Sequence, residues 1–167
     1  MSAQNIYDSA PLGALIRYSD GTPMPPARFN KKVAAWKRNN GVGRLVRKTP
    51  SFVMGRYTAP ASLTLHEGNF ASAGVIVLTV HRSFNLTGNV TFEVVSTPRP
   101  GTCRVLQPFG ESVELIHLAR DRAAAQAWLR ENPEPHARLE EVCANESEFS
   151  ADQSAVEIMT PSAREAL

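Results

Sequence analysis

The sequence predicts an α+β fold: a mostly antiparallel sheet with two main helices, preceded by an N-terminal β-α-β unit. Three observations support this. About five segments with strand periodicity follow one another between residues 62 and 118, separated by short turns, which favours antiparallel neighbours. Two segments, at about 27–39 and 122–132, have helical composition and defined ends. The 167 residues are 43% hydrophobic, which suffices for one domain with a core, or one domain with a small appendage.

The N-terminal segment is predicted to form the β-α-β unit. Prolines just before residue 27 favour a helix start, because proline fits the first turn, where its missing N–H costs nothing. Asn and Gly residues at 39–43 are expected to end the helix and form a turn, since both tolerate the left-handed conformation. The predicted order is an irregular stretch at 1–13, a strand at 14–18, the helix at about 27–39 and a strand at 44–48.

The predicted helix at 27–39 has an apolar stripe and a basic remainder. Phe29, Val33 and Trp36 fall within one narrow arc of the helix. We expect this stripe to be buried together with Leu15 and Leu45. No acidic residue stands three or four positions from the helix lysines and arginines, so their mutual repulsion is unrelieved. We interpret a helix that accepts such repulsion as a candidate surface for an anionic partner.

Charge is distributed unevenly along the chain. The formal net charge is only +2, but all four lysines lie between residues 31 and 48. Residues 1–60 carry ten Lys or Arg against two Asp or Glu, whereas residues 61–167 carry eight against fourteen. This asymmetry indicates polyanion binding at one end, or an electrostatic contact between the two ends.

We interpret the basic segment as a surface for nucleic-acid backbone on a non-enzymatic accessory protein. Phosphate contacts of this kind depend little on base sequence and weaken steeply with salt. Phe52 and Tyr57, in the segment that follows, are candidates for base stacking. The candidate phosphate contacts are Lys31, Lys32, Lys37, Arg38, Arg44, Arg47 and Lys48.

Two other interpretations of the basic segment stay open. The same face also suits an acidic protein surface, or the acidic tail of this or another chain, which would make the protein an interaction module or an inhibitor. Alternatively, the charges have no partner and are simply solvated, as most lysine and arginine clusters are.

The chain is predicted to comprise a basic module at 1–58, a sheet with one helix at 59–143 and an acidic tail at 144–167. Residues 49–61 are rich in proline, glycine and small side chains, which predicts a linker or an edge loop. Residues 74–81 are largely apolar on both faces, as expected of a covered central strand. The tail has few large apolar residues, so we expect it to be disordered or loosely packed. Further elements are predicted at 62–66, 90–95, 103–107 and 113–118 (strands), 122–132 (helix) and 136–143 (strand or short helix).

No motif identifies a catalytic or metal centre. The histidines and cysteines lack the paired spacing of a zinc site. Nucleophile-elbow and phosphate-loop motifs are also absent from the sequence. An enzyme would need a fold that joins His66, His81, His117 or Cys103 to other polar groups in one pocket. We therefore predict no catalytic residue, metal or cofactor.

The sequence favours a cytoplasmic protein without membrane contact. The N-terminus has no apolar core of the signal-peptide type, and the longest apolar run, at 73–80, is too short to span a bilayer. Two cysteines alone do not indicate an oxidising compartment. Oligomeric state is not predicted.

Overall fold

The computed structural model describes residues 1–146; residues 147–167, most of the predicted acidic tail, lie outside the described part. Within residues 1–146, three α-helices and ten strands form an α+β fold, as predicted, and the strand pairs are antiparallel. The helices are α1 (Ala3–Ser9), α2 (Asn30–Asn39) and α3 (Arg122–Glu131). The strands are β1 (Leu15–Ser19), β2 (Gly41–Thr49), β3 (Phe52–Met54), β4 (Tyr57–Ala59), β5 (Ser62–Ser72), β6 (Val75–Asn85), β7 (Thr91–Ser96), β8 (Cys103–Phe109), β9 (Ser112–Ala119) and β10 (Arg138–Glu141).

Eight of these strands form one curled sheet, in which β2 is the central member. The path runs β10-β8-β9-β2-β1-β7, and β5 joins β2 on its other edge and carries β6. Strand β1 pairs with residues 41–44 of β2, β9 pairs at Arg47, and β5 pairs with residues 44–49, with a register shift between Leu45 and Arg47. The five strands predicted between residues 62 and 118 are therefore confirmed as β5 to β9. Strands from both sides of residue 58 pair in this sheet, and the domain division there stays a prediction.

The core lies on both faces of the sheet. On one face, Ile16, Tyr18 and Leu65 pack with Ile6 of α1. On the other, α3 buries Ala125 against β8 and β9. Among residues 1–146, no helix combines the length and the apolar character needed to cross a bilayer.

Helix α1 corrects the prediction that residues 1–13 are irregular. The Ser2 hydroxyl caps the helix by accepting a hydrogen bond from the Asn5 N–H at 3.3 Å. The helix has seven residues and buries only Ala3 and Ile6. Two buried positions are too few for a recognisable helical period, which explains why the pattern was missed.

The predicted burial of the α2 stripe is wrong. Phe29 is 40% exposed, Val33 and Trp36 are half-buried, and α2 has no fully buried residue. The Trp36 indole N–H donates to the Thr22 carbonyl at 2.8 Å, so this side chain contacts the preceding loop and not the sheet core. Strands β1 and β2 flank α2 in the chain but pair directly with each other. The predicted β-α-β unit with a shared core is therefore not confirmed.

The end predicted for the helix at Asn39 is confirmed, but the turn predicted at 41–43 is wrong, because β2 already begins at Gly41. A Cβ at Gly41 would lie 2.5 Å from the Tyr18 hydroxyl oxygen, and one at Gly43 would lie 2.8 Å from the Leu65 Cβ. These two positions are glycine because neighbouring strands approach them closely, and not because the chain turns.

Two hairpins differ from the prediction. Residues 74–81 do not form a covered central strand: β6 pairs only with β5, and the far half of this hairpin extends beyond the sheet. There Val75, Ile76 and Val77 are 58–65% exposed. The continuous apolar run therefore does not correspond to a buried strand within residues 1–146. The predicted linker at 49–61 contains the small β3–β4 hairpin, which turns at Gly55 with φ of +63°.

Candidate functional site

Helix α2 carries four of the seven candidate phosphate contacts. The side chains of Lys31, Lys32, Lys37 and Arg38 are all exposed. Among the ion pairs of residues 1–146, none involves these four side chains. We call this set the α2 cations. Within residues 1–146 no carboxylate pairs with them, so in this part of the chain their charge can attract an anion.

A hydrogen-bond chain fixes the end of α2 against the sheet. The Arg82 guanidinium donates to the Arg38 carbonyl at the end of the helix and, through Nε, to Glu67 at 2.7 Å. The Tyr18 hydroxyl donates to the same carboxylate. Burial, and then the hydrogen bond to Glu67, raise the pKa of Tyr18, so this residue remains a donor. The end of α2 is thus hydrogen-bonded to the sheet, although none of its residues is fully buried.

The other three candidate contacts lie on β2 and already have partners. Arg44 donates to the Gly13 carbonyl at 2.7 Å. Arg47 pairs with Glu114 at 3.1 Å and lies 3.8 Å from the centre of the Phe109 ring. Lys48 is half-buried near the Tyr7 ring, and burial lowers its pKa despite the opposing effect of Asp8. These three residues therefore differ from the α2 cations, because Arg44 and Arg47 already have hydrogen-bond partners and Lys48 is half-buried.

The two predicted stacking residues lie on the β3–β4 hairpin. Phe52 and Tyr57 are 47% and 61% exposed, beside the exposed Val53 and Met54. Their exposure leaves the ring faces accessible, and stacking on them stays a prediction.

A second feature, which we call the histidine cleft, opens between the β5–β6 hairpin, β9 and α3. Its volume is about 570 Å³. His66, His81 and His117 line it, and the chain has four histidines in all. Arg44 and Glu114 also line the cleft, with Val46, Ile76, Ile116 and Trp128 among its apolar residues. The three histidines therefore lie in one pocket, together with other polar groups.

Cys103 does not belong to this cleft. It is a free, buried thiol that packs with Val105, Ala119 and Ala125. Within the described chain, no group of three or more His, Cys, Asp or Glu side chains is arranged to hold a metal ion.

The histidines of the cleft contact one another and their neighbours in defined ways. His66 and His81 are paired across β5 and β6, with ring centres 5.5 Å apart and ring planes at 75°. His66 Nε2 lies 2.8 Å from Asn69 Oδ1, so this nitrogen donates a hydrogen bond. His117 stacks on Trp128, with ring centres 4.7 Å apart and planes within 3°. The imidazoles are therefore oriented by specific partners.

The environment of the cleft favours the neutral forms of His81 and His117. Burial lowers the pKa of His81; Glu114 opposes this effect, whereas His66 and Arg47 add to it. Burial also lowers the pKa of His117. Neutral imidazoles offer one donor and one acceptor each and take up a proton when an anion approaches.

These shifts predict that stability falls as pH drops below about 6.5, the usual pKa of an unfolded histidine. Below that pH, His81 and His117 bind protons more readily in the unfolded chain than in the folded one. The stabilisation is therefore fully present above about pH 6.5 and is lost as the pH falls from there through the lowered pKa values of the folded state. Urea unfolding at about pH 7, 6 and 5 should show the loss, with a limit of about 1.4 kcal/mol per pH unit for each proton.

Substitution of His81 and His117 by glutamine should reduce this slope, because glutamine does not titrate. His136→Gln is the matched control, since His136 is exposed and lies outside the cleft. An unchanged slope in the double variant would show that these two histidines do not govern the pH dependence.

The structural elements described above were compared with known proteins. No curated protein and no solved structure matches the chain. A family profile described as "Uncharacterised conserved protein UCP036055" matches residues 1–146, a range that includes both the α2 cations and the histidine cleft. The match covers most of the 167 residues, and the chain belongs to this family.

Proposed function

We propose that the protein is a non-enzymatic accessory protein that binds nucleic-acid backbone through the α2 cations. The observation that carries the proposal is the exposure of Lys31, Lys32, Lys37 and Arg38 without any carboxylate partner among the described residues. In this proposal, residues 1–58 act as one basic module, in which α2, between β1 and β2, supplies the contact surface.

The dimensions of α2 suit a short stretch of backbone. Ten helical residues extend about 15 Å, which corresponds to roughly four phosphates along one strand at about 3.4 Å each. Lys31 and Arg38 are two turns apart on one side of the helix, and Lys32 and Lys37 lie to either side of them. About four phosphate contacts are therefore the expected maximum from this helix.

The strand residues are assigned a secondary part in the proposal. Arg47 would have to leave Glu114, and both side chains are only 17% exposed. Separating such a pair leaves a half-buried carboxylate without its cation, which is costly. Arg44, Arg47 and Lys48 therefore contribute long-range positive charge to the surface, whereas the α2 cations make the direct contacts.

The experiment compares Lys37→Glu/Arg38→Glu with the wild type in fluorescence anisotropy, using labelled mixed-sequence single-stranded DNA, duplex DNA and RNA. At about 50 mM salt we expect the variant to bind at least ~10-fold more weakly, because two contacts become repulsive. Circular dichroism should confirm that both proteins are folded.

The matched control is Arg99→Glu/Arg138→Glu, which makes the same change in net charge at two exposed arginines away from α2. We expect it to weaken binding by less than about 3-fold, since only the long-range field changes. Equal losses in the two variants, or no binding by the wild type, would refute the proposal.

A second candidate function is a protein-interaction module, in which the α2 cations meet an acidic partner. One observation favours it independently: the apolar far half of the β5–β6 hairpin, including Phe70 and Leu78, is more than half exposed. Exposed apolar patches commonly mark contacts between proteins. Labelled polyglutamate measured in the same anisotropy assay distinguishes the two functions, because an acidic-partner site would bind it more tightly than the nucleic-acid probes, and a phosphate-backbone site would bind it more weakly.

A further inference from the structure

We propose that the histidine cleft is a binding site for a small organic anion, with a carboxylate or phosphate group attached to an apolar body. This site differs from the direct contact surface proposed for nucleic acid, because no residue of α2 lines the cleft; Arg44, which adds only long-range charge to that surface, lies in the cleft itself. Three of the four histidines of the chain converge there from β5, β6 and β9. Such a convergence of titratable groups in one concave site is a feature of ligand pockets.

The charge that remains free in the cleft is positive. Among residues 1–146, Glu114 is the one acidic residue that lines it, and its carboxylate already accepts a hydrogen bond from Arg47 at 3.1 Å. Arg44 contributes a guanidinium, of which only Nη1 is used in the hydrogen bond to Gly13. A guanidinium has five N–H donors in a planar fork that matches a carboxylate or a phosphate. Arg44 is therefore the anchor for the anionic group.

The paired histidines supply a response to that anion. His66 lies close to His81 and, together with Arg47, opposes protonation of His81, whereas Glu114 favours it. A bound anion would offset the repulsion and allow the His81 ring to be protonated. His117 is held against Trp128 and becomes a third donor in the same way. Binding should therefore take up protons and become tighter as pH falls.

The volume and the apolar walls of the cleft indicate the size of the ligand and the chemistry of its uncharged part. A volume of about 570 Å³ lies within the range of roughly 300–1,000 Å³ typical of small-molecule sites. Ile76, Ile116 and Trp128 form apolar wall, which favours a ligand with an apolar part over a bare inorganic ion. The cleft thus combines an anion anchor with space for a hydrocarbon or aromatic body.

Phenyl phosphate, benzoate and phenol test this assignment on the full-length, isotope-labelled protein. Histidine side-chain NMR should show that both anions shift the resonances of His66, His81 and His117 and leave His136 unchanged. Phenol, which lacks the charge, should cause no comparable shift. Calorimetry should give binding at least ~3-fold tighter at about pH 6 than at about pH 7.5. The phosphate and carboxylate arms show which anionic group the cleft prefers.

Two variants show whether the named residues bind the anion. Arg44→Gln and His81→Gln should each weaken binding of the preferred anion at least ~10-fold, and His136→Gln should leave it unchanged. His81 is exposed, so its substitution tests the proposal even if loss of the Arg44 hydrogen bond impairs folding. Equal binding of phenol, equal shifts at His136, no binding of either anion, or full affinity in His81→Gln would overturn the proposal.

Discussion

Replacement of Arg104 by methionine is expected to lower the free energy of unfolding by about 3 kcal/mol. The Arg104 side chain is only 4% exposed and joins three separate parts of the chain. Its Nε donates to the Leu12 carbonyl at 2.8 Å, Nη1 to Glu140 at 2.9 Å, and Nη2 to Glu146. Methionine fills similar space but leaves the Leu12 carbonyl and both carboxylates without their donor.

Arg17→Met is the matched control for this stability measurement. Arg17 also forms a carboxylate pair, with Glu93 at 2.8 Å, but its side chain is 55% exposed. An exposed pair contributes about 0–1 kcal/mol, because water replaces the lost partner. Urea unfolding of the two variants should therefore differ by about 2 kcal/mol or more. Similar losses in the two variants would show that the hydrogen bonds of Arg104 to Leu12, Glu140 and Glu146 contribute no more to stability than an exposed ion pair does.

Gly43→Ala is expected to destabilise the protein by about 2 kcal/mol through overpacking. The added methyl group would lie 2.8 Å from the Leu65 Cβ and 3.1 Å from the His66 carbonyl oxygen. Both positions belong to the neighbouring strand β5, so relief requires β2 and β5 to move apart. That movement would disturb the Leu45–Leu65 pairing in the core.

Gly68→Ala, also in β5, is the control, because nothing lies within 4 Å of a Cβ built at Gly68. Its effect should stay within about 0.5 kcal/mol, as for most exposed substitutions. Thermal or urea unfolding of both variants gives the comparison. If the two alanine variants are equally stable, close approach of β5 is not the reason for glycine at position 43.

The elements that the sequence predicts well are those with strong local signals. Helix α3 begins after Asp121, whose carboxylate accepts a hydrogen bond from the Ala124 N–H at 2.7 Å, as its capping residue type suggests. Strand β7 begins with the alternating burial of a half-buried strand, and both β7 and β9 lie within one residue of their predicted bounds.

The elements that the sequence predicts poorly depend on distant contacts. Gly41 and Gly43 resemble a turn locally, but they face Tyr18 and Leu65 across neighbouring strands. The α2 stripe of Phe29, Val33 and Trp36 has the spacing of a buried helix face, yet the Trp36 indole contacts the carbonyl of Thr22 in the preceding loop. Periodicity alone does not distinguish a stripe that faces the sheet from one that faces a loop.

The same limit applies to the candidate sites. The exposure of the α2 cations could be predicted from the sequence, because they lie on a helix with no acidic neighbours, whereas their binding of phosphate stays a prediction. The histidine cleft could not be predicted, since His66 and His117 meet only when β5 and β9 pair with opposite edges of β2. The sequence indicates the three histidines as candidates because of their chemistry. Their proximity, however, follows only from the order of the strands in the sheet.

The salt dependence of nucleic-acid affinity tests the central claim most directly. With about four phosphate contacts, the logarithm of the association constant should fall against the logarithm of salt concentration with a slope of about −3 for single strands and about −3.6 for duplex DNA. Lys37→Glu/Arg38→Glu should reduce the magnitude of that slope by roughly half. A slope near zero, or the same slope in the variant, would show that the α2 cations do not bind nucleic-acid backbone.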